Sequence, residues 1–281
     1  MQILSVYSRI RSILNSICAP SQSLLRNWQL FKILVSRQFN ERYQGTFLGL
    51  FWSILVPMIM LGVYTFVFGV VFKARWGEIS GNQVDFALIL FAGLILFNIF
   101  SECVSRAPTL ILSNPSFVKK VAFPLDLLPW IQFTVALLHG TISFSILIVA
   151  MVVAGKVIPL TILALPIVII PLSILTVGIS LILSSLGVFL RDLSHIIGVV
   201  ITILLFMSPI FYPLESLPAK FHKFVLINPI AGMVEDARKL IIFGTFPDFV
   251  AWKVYSSISL GLFIIGSYWF SKTKKGFADV L

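Results

Sequence analysis

Six long stretches of the sequence contain no Asp, Glu, Lys or Arg, and each runs for at least 16 residues. A helix needs about 20 mostly apolar residues to cross a hydrocarbon core of about 30 Å. The stretches do not alternate apolar and polar residues as barrel strands do, so each predicts a helix whose backbone groups pair internally. The six predicted spans are residues 43–72, 86–101, 127–155, 157–190, 193–214 and 254–271.

The overall composition excludes a soluble fold. Of the 281 residues, 58% are hydrophobic and only 11% are charged, and the mean hydropathy is +1.02. A soluble domain carries about 25% charged residues, which this chain does not have. The same composition excludes a nucleic-acid-binding module, despite a formal net charge of +10, and it excludes disorder and repeat arrays. The two cysteines, Cys18 and Cys103, form no disulfide or metal-binding pattern.

The fourth stretch is long for one span and too short for two spans with a turn between them. It contains Pro159, Pro166 and Pro171. Because proline is tolerated in the first turn of a helix, the stretch predicts an outer loop followed by a single helix.

The positions of lysine and arginine predict the orientation. Six spans place both termini on one side, which carries thirteen of the 21 Lys and Arg and five of the 11 Asp and Glu. Since cytoplasmic loops are enriched in Lys and Arg, both termini are predicted to be cytoplasmic. We therefore predict an all-α integral membrane protein in three parts: a cytoplasmic N-terminal segment (1–45), a six-span domain (46–272) and a cytoplasmic tail (273–281).

The segment before the first span, residues 24–42, predicts an amphipathic interface helix. Its apolar residues recur at spacings of three and four and share one face, opposite Arg26 and Arg37. Those residues are Trp28, Phe31, Val35 and Phe39. Such a helix lies flat among lipid headgroups, with its basic residues towards anionic lipid. It is a membrane-surface anchor or an element that meets substrate or a partner, and the two roles are compatible.

A second segment, residues 107–129, lies between the second and third spans. A turn or helix start at 114–116 leads into a short apolar face, Lys119 and Lys120 lie beside that face, and Pro124 ends it. The residues of the face are Phe117, Val118, Val121 and Ala122. The short helix either rests on the membrane or inserts into a groove of a soluble partner.

A third segment, residues 213–247, is too polar to span but contains apolar patches at 224–227 and 240–243, separated by Asn228 and Pro229. The pattern predicts two short re-entrant helices that dip into the outer leaflet. Irregular backbone at that depth must pack on protein or line water, so the segment would cap an aqueous pathway. The alternative is an ordinary outer loop with two surface helices.

Sequence signatures of catalysis are missing. There is no GxxxxGK[ST] phosphate loop, no HExxH and no His/Cys cluster with metal-ligand spacing. Glu102 and Arg106, four residues apart near the inner end of the second span, predict a structural ion pair. His139 is the lone histidine of the third span and predicts a hydrogen-bonded packing residue. A relay of acidic residues is absent, which argues against a proton-driven transporter.

Four blocks of sequence stand, in order, at the predicted topological positions. The first comprises Arg37, Arg42, Tyr43, Gly45, Leu48, Gly49, Trp52 and Pro57. The second comprises Ser113, Asn114, Pro115, Val118, Lys119, Lys120, Val121, Phe123, Pro124, Leu128 and Pro129. The third comprises Arg191, Asp192 and Leu193. The fourth comprises Ser208, Pro209, Ile210, Tyr212, Pro213, Leu217, Pro218, Asn228, Pro229, Ile230 and Arg238.

Together the blocks resemble the permease subunit of type-2 ABC exporters of cell-surface polysaccharides, such as O-antigen, capsule-like glycans and teichoic acids. One departure is Asp126, where an Arg-Glu type pair often follows the Phe-Pro. The resemblance implies a multi-pass protein of the bacterial inner membrane and a homodimeric channel for a lipid-linked polysaccharide. Two copies of a separate ABC ATPase would bind ATP and Mg²⁺, so no cofactor is expected in this chain, and no nucleic acid is expected as a partner.

The resemblance and the aromatic content of the spans also imply residue roles. The ATPase-coupling residues would be Asn114, Pro115, Phe117, Val118, Lys119, Lys120, Phe123, Arg191 and Asp192. The interface helix would use Arg26, Trp28, Phe31, Arg37 and Arg42. The channel-lining candidates are Trp52, Tyr64, Phe68, Phe72, Phe97, Phe100, Phe211 and Tyr212, although lipid-facing positions also favour aromatic residues. The outer gate would consist of Pro209, Pro213, Pro218, Asn228, Pro229 and Arg238.

Two alternatives stay open at this point. One is a drug- or lipid-exporting permease of the same superfamily. The other is a membrane enzyme that acts on lipid-linked sugars, for which Glu102 and His139 are the only candidate catalytic residues.

Overall fold

The computed structural model describes residues 17–72, 76, 83–119, 123–218, 220 and 227–280, and in these residues every regular element is helical. A helical stretch, 17–26, precedes the first helix that we label. The labelled helices are α1 (Trp28–Glu41), α2 (Trp52–Tyr64), α3 (Gln83–Arg106), α4 (Pro115–Lys119), α5 (Leu128–Val153), α6 (Pro166–Phe189), α7 (Leu193–Met207), α8 (Pro229–Arg238), α9 (Phe249–Thr273) and α10 (Phe277–Val280).

Five helical stretches of the described chain are long and apolar enough to cross a membrane. They include the short 3₁₀ and π-helical turns that extend the labelled helices. The stretches are Gly49–Val71, Val84–Thr109, Leu125–Val153, Leu160–Phe189 and Phe249–Val280. They confirm an all-helical membrane protein and five of the predicted spans, with boundaries shifted by several residues.

The predicted span at 193–214 is represented by a shorter apolar helix, α7, which ends at Met207. Ser208 is extended (φ −84°, ψ 143°) because the ring of the following Pro209 disfavours helical geometry at the preceding residue. The prediction placed the end of this helix at residue 214 and was wrong in that respect.

Proline determines where α6 begins. A 3₁₀ turn, Leu160–Ala164, follows Pro159, and Pro166 is the first residue of α6, where its missing N–H costs no intrahelical hydrogen bond. Pro171 lies farther along, inside the helix. The predicted loop followed by one helix is confirmed.

Helices α6 and α9 lie side by side and parallel. At one end the Trp252 indole donates to the Ile167 carbonyl (3.0 Å), and at the other the Ser185 and Thr273 hydroxyls lie 2.6 Å apart. Gly178 permits this close approach, since an added Cβ would lie 2.6 Å from the Cα of Phe263. We call the Ser185 and Thr273 end the near end, and the Ile167 and Trp252 end the far end.

Contacts between helix ends give the direction of the other long helices. The Lys156 ammonium, just after α5, lies 2.6 Å from the carboxylate of Asp85 at the start of α3. Lys274, just after α9, lies 3.1 Å from the carboxylate of Asp126, just before α5. At the far end, the ring of Phe68, beyond α2, lies 5.6 Å from that of Phe86 in α3. Therefore α2 and α5 run from the near end to the far end, and α3, α6 and α9 run the opposite way.

Because α6 and α9 are parallel, the chain between them has to return from the near end to the far end. The return is visible in a single contact. The hydroxyl of Thr161, before α6, donates to the carbonyl of Leu240, after α8, at 2.7 Å. Helix α7 and the extended segment that follows it therefore lead the chain back along the bundle.

The core is centred on α3, which packs against α5, α6, α7 and α8. Its residues from Phe86 to Phe97 are almost all buried within the protomer, whereas most apolar side chains of α2 are exposed. The bundle is therefore built around α3, and α2 is attached to its side.

Candidate functional site

A cluster of charged side chains lies where α1, α3 and α5 meet. Arg42 follows the last residue of α1, Glu102 and Arg106 lie one turn apart on α3, and His139 lies on α5. The Arg42 guanidinium donates to the Glu102 carboxylate and lies 2.8 Å from His139 Nδ1. Glu102 is also 3.7 Å from Arg106 and 3.7 Å from His139. We call these four residues the arginine cluster.

The arginine cluster extends from the near end into the bundle, since Arg106 is the last residue of α3 and is 49% exposed, whereas His139 is 13% exposed. His139 lies about 16 Å along α5 from Leu128, at about 1.5 Å of rise per residue. The amide of Gln132, about two turns before His139 on α5, donates to the backbone carbonyls of Glu102 and Cys103 at 3.3 Å and holds α3 against α5. In the described part of the chain, His139 Nε2 is buried without a hydrogen-bond partner. Ionisable groups at such positions in a membrane bundle are costly and usually functional.

A cavity of about 530 Å³ opens beside the cluster, between α2, α3 and α5. All four cluster residues line it. Its other polar and aromatic lining residues are Tyr43, Trp52, Ser53, Tyr64, Phe91, Asn98, Ser101, Ser105 and Ser143. This polar cavity therefore combines two guanidinium groups with hydroxyls, an amide and aromatic rings.

The other side of α2 borders a groove of about 1230 Å³, whose wall consists mostly of apolar residues of α2 and α5. Ser53 lines both the groove and the polar cavity. Phe39, at one end of the groove, has its ring 5.1 Å from that of His139 and 6.1 Å from that of Tyr43. The apolar groove therefore adjoins the arginine cluster.

The predicted amphipathic helix is present as α1. Phe31 and Val35 are buried and Phe39 is half-buried, with the helix packed on α5, while Arg26 and Arg37 are exposed. Trp28 is half-exposed, its ring stacked on Phe31 at 5.3 Å.

The predicted coupling segment forms the short helix α4 at the near end. Asn114, just before it, donates through its side-chain amide to the carbonyl of Leu110 at 2.9 Å. The rings of Phe117 and Phe123 stack at 4.2 Å and close the segment, Val118 is half-buried, and Pro115 and Lys119 are exposed. Lys120 lies outside the described residues.

The C-terminal helix links α4 to the rest of the near end. Helix α10 contacts α4, and its buried Phe277 lies 5.6 Å from the ring of Phe270 and 6.1 Å from that of Phe189. Arg191 and Asp192 follow in the exposed turn between α6 and α7. The structure therefore brings the described coupling candidates to one end, where α10 and the Asp126–Lys274 ion pair join them. We call α4, this turn and α10 the near-end surface.

At the far end, Arg238 of α8 is completely buried. Its guanidinium donates to the carbonyls of Ile89 (3.0 Å), Ile210 (2.6 Å) and Pro209. Gly93 of α3 makes room, since an added Cβ would lie 2.6 Å from the guanidinium. Arg238 thus ties the extended segment after α7 to the central helix.

The charge of Arg238 is compensated in two further ways. Glu235 lies 3.5 Å away, and the guanidinium lies over the ring of Trp76 at 4.4 Å. Burial lowers the pKa of Arg238 to about 10, so the side chain remains charged at neutral pH. Burial also raises the pKa of neighbouring Asp236, although a hydrogen bond from Lys239 opposes this change.

The other predicted gate residues lie around the same segment. The Asn228 side chain accepts from the backbone N–H of Ile230 at 3.1 Å and donates to the Ser208 hydroxyl at 2.9 Å. Pro229 is the first residue of α8, Pro213 directly precedes the short 3₁₀ turn Leu214–Ser216, and Pro218 is exposed. Only Ile227 of the apolar patch predicted at 224–227 is described.

The channel-lining candidates fall into three groups. Trp52 and Tyr64 line the polar cavity. Phe68, Phe72 and Phe211 form a far-end group in which the ring of Phe68 lies 5.9 Å from Phe72 and 6.0 Å from Phe211, beside Tyr212. Phe97 and Phe100 are only 2% exposed and pack inside the protomer.

The predicted Glu102–Arg106 pair is confirmed, but sequence reasoning missed its closer partner, Arg42, and the contact with His139. Arg42 and His139 are far from Glu102 along the chain, so helical periodicity does not connect them. A partial signal was present, since Glu102 directly follows the uncharged apolar run of residues 86–101.

Comparison with known proteins assigns the family. Residues 29–242 match the ABC-2 type transporter family. The match covers most of the chain, including the four residues of the arginine cluster and Arg238 with its partners. The protein belongs to the ABC-2 type transporter family. As a member of this family it is a membrane transport subunit, and the alternative of an enzyme acting on lipid-linked sugars is wrong.

Relatives of this ABC-2 protein match it over nearly its whole length. An O-antigen export system permease protein RfbA from Klebsiella pneumoniae is 25% identical over 256 residues, 90% of this chain and 95% of the relative. An RfbA from Myxococcus xanthus is 25% identical over 88% of this chain and 93% of the relative. A polysialic acid transport protein KpsM from Escherichia coli is 28% identical over 83% of this chain and 89% of the relative.

Proposed function

We propose that this chain is the transmembrane subunit of an ATP-driven exporter that moves a lipid-linked polysaccharide across the bacterial inner membrane. The observation that carries the proposal is the match, over at least 83% of the chain, to relatives named for export of O-antigen and transport of polysialic acid. The polar cavity agrees with it, since aromatic faces and hydroxyl groups suit sugar rings. The family membership alone also accommodates a drug or lipid as cargo.

We further propose that the chain crosses the membrane six times, with both termini in the cytoplasm. Helix α7, with 15 residues, rises about 22 Å, which is less than the hydrocarbon core of about 30 Å. The extended segment after it would complete the crossing. Its carbonyls at Pro209 and Ile210 accept from Arg238, which supports this depth, because irregular backbone in a membrane needs partners within the protein.

The near-end surface would face the cytoplasm and receive the ATPase. The sequence has no phosphate loop, so ATP and Mg²⁺ would be bound by a separate ABC ATPase, two copies of which would dock below two copies of this chain. Exposed Lys119, Arg191 and Asp192 and the stacked Phe117 and Phe123 give this surface the polar rim and aromatic centre that suit a protein partner. The Asp126–Lys274 ion pair would pass movement of this surface to α5 and α9.

A second copy of the chain would complete the channel. The exposed apolar face of α2 supports this proposal, because the rest of the bundle leaves it uncovered. Trp52, Tyr64, Phe68, Phe72, Phe211 and Tyr212 are the candidates for its lining. Phe97 and Phe100 are buried in the protomer, so we leave them out of the proposed channel. Pro209, Arg238 and the segment between them would form the outer gate.

The test is to purify the chain with the ATPase encoded beside it and to measure complex formation, ATPase activity and surface polysaccharide in cells. We expect a stable complex, and we expect Lys119→Glu together with Phe117→Ala to uncouple ATP hydrolysis from export. Lys156→Gln, which removes an ion pair of α5 at the far end, is the matched control and should leave both activities unchanged. No complex, or normal export by the double variant, would contradict the proposal.

A further inference from the structure

Helix α4 has few contacts of its own that fix its position. It consists of five residues, Pro115–Lys119, none of which is buried in the protomer. An isolated helix shorter than about 12 residues is marginal in water, so α4 depends on its neighbours for a fixed position. The stack of Phe117 on Phe123, at 4.2 Å, ties α4 only to the segment that follows it. A helix that transmits force to the bundle needs a second support outside this segment.

The chain after α9 supplies one such support by an ion pair. The Lys274 ammonium lies 3.1 Å and 3.4 Å from the two carboxylate oxygens of Asp126. Asp126 is only 4% exposed, and a buried carboxylate is costly unless a cation accompanies it. Because Asp126 is three residues after Phe123, the ion pair fixes the end of the segment that carries the stacked ring.

Helix α10 supplies the second support by direct contact with α4. The position of α10 is itself fixed by Phe277, which is completely buried. The ring of Phe277 lies 5.6 Å from that of Phe270 in α9 and 6.1 Å from that of Phe189 in α6. Lys274 and Phe277 therefore connect α4 to the parallel pair of α6 and α9. We call these two residues the C-terminal brace.

We propose that the C-terminal brace holds α4 in the position from which it passes the movement of the ATPase to α6 and α9, and that Asp126 and Lys274 are positioning residues for this coupling. The inference rests on the proposed export function and adds to it the contacts that make α4 rigid. With the brace in place, a force on α4 moves the near ends of α6 and α9. Without it, the same force tilts α4 and bends the segment around it.

The first experiment measures the position of α4 through hydrogen exchange of the backbone amides of residues 115–119 in the complete permease–ATPase complex. Lys274→Gln should make this exchange faster, because α4 opens more often when the ion pair is lost. Lys275→Gln is the matched control, since it removes the same charge from the exposed neighbouring residue, and it should exchange as the parent does. Unchanged exchange in Lys274→Gln, or equal acceleration in both variants, would overturn the proposal.

The second experiment measures coupling as polysaccharide exported per ATP hydrolysed. Surface polysaccharide is measured in cells with equal amounts of complex, and ATPase activity is measured on the purified complex. Lys274→Gln should still form the complex but lower this ratio by about fivefold or more, which is the lower end of usual coupling energies. Lys274→Arg should restore most of the ratio, because a guanidinium also pairs with a carboxylate. Lys275→Gln should leave the ratio unchanged.

A double variant tests whether Asp126 and Lys274 act as one unit. Asp126→Asn keeps the shape of the side chain and removes its charge, so it should lower the ratio as Lys274→Gln does. The two substitutions together should lower it no further, because residues of one ion pair are not additive. If the pair served stability alone, the variants would lower the unfolding temperature and leave the ratio unchanged. That result, or additive losses, would overturn the proposal.

Failure of this inference is distinguishable from failure of the proposed function. If the parent complex exports polysaccharide and Lys274→Gln exports as much per ATP, the brace is wrong and the exporter stands. If the parent forms no ATPase complex and exports no polysaccharide, the function itself fails.

Discussion

Two arginines of this protein, Arg238 at the far end and Arg42 at the near end, have partners of different kinds. Arg238 is completely buried, and its guanidinium donates to three backbone carbonyls. Arg42 is 38% exposed, and its partners are the side chains of Glu102 and His139. Both carry the same charge on the same type of side chain, but only the second can change partner by rotation of a side chain.

The difference separates a fixed charge from an exchangeable one. Backbone carbonyls cannot move away from the guanidinium unless the segment that carries them unfolds. The hydrogen bonds of Arg238 are therefore fixed in the folded protein. A carboxylate on a rotatable side chain can be replaced by another anion. The chemistry of the partners therefore decides which of the two charges is exchangeable.

The largest expected effect comes from removing the far-end arginine. Arg238→Gln should destabilise the protein by about 3–5 kcal/mol, because the carbonyls of Pro209, Ile210 and Ile89 lose a charged donor. Arg238→Lys should recover little of this, since one ammonium cannot reach three carbonyls with the geometry of a planar fork. The measurement is thermal unfolding of the purified protein in detergent, with Lys253→Gln, at an exposed lysine of α9, as the control. Wild-type stability of Arg238→Gln would show that the segment after α7 is held by other contacts.

A smaller effect is expected from crowding the same arginine without removing it. Gly93→Ala would place a Cβ 2.6 Å from the guanidinium and should cost about 1–3 kcal/mol of stability. Gly261→Ala is the matched control, because nothing lies within 4 Å of the Cβ it adds to a helix. The same unfolding assay compares them, and equal stability of the two variants would contradict the close fit of Arg238 against α3.

The arginine of the near end should matter less for stability. Arg42→Gln should lower the free energy of unfolding by about 1 kcal/mol or less, because its ion pair is partly exposed to solvent. A loss of stability as large as that of Arg238→Gln would erase the distinction between the two arginines.

The smallest effect is expected at the acidic neighbour of Arg238. Glu235 is 25% exposed and 3.5 Å from the guanidinium, so Glu235→Gln should cost less than about 1 kcal/mol. According to this prediction, the contribution of Arg238 to the free energy of unfolding comes from its hydrogen bonds to the backbone carbonyls and not from its ion pair with Glu235. Thermal unfolding of Glu235→Gln and Arg238→Gln is compared under identical conditions. An equal loss of stability in the two variants would assign the contribution to the ion pair instead.

Much of the fold could be predicted from the sequence, because a local run of apolar residues is enough to predict a membrane helix. The five long spans and the proline-initiated start of α6 depend on neighbouring residues alone. The end of α7 was misplaced although Ser208-Pro209 marked it, because the apolar run continues to Leu214 and outweighed the proline. The Ser208-Pro209 pair gave the correct end of the helix, and the apolar character of the whole run from 193 to 214 did not.

The arrangement of the site could be predicted only in part. The sequence identified Arg238 and Arg42 as residues of interest, but not their partners. The partners of Arg238 are backbone carbonyls, which no residue type reveals, and those of Arg42 come from two other helices. Such contacts depend on which helix ends lie together. That in turn depends on how whole helices pack, as in the parallel pair α6 and α9.

That parallel pair also has a consequence for the order of assembly. Helix α9, which packs on α6, is synthesised only after α7 and α8. The surface of α6 around Gly178 therefore stays uncovered until α9 has been inserted. Until then a stripe of α6 faces lipid or the insertion machinery. Closure of α9 onto α6 would therefore be a late step in the folding of one protomer, and a fault in that step would leave the earlier helices inserted but not assembled.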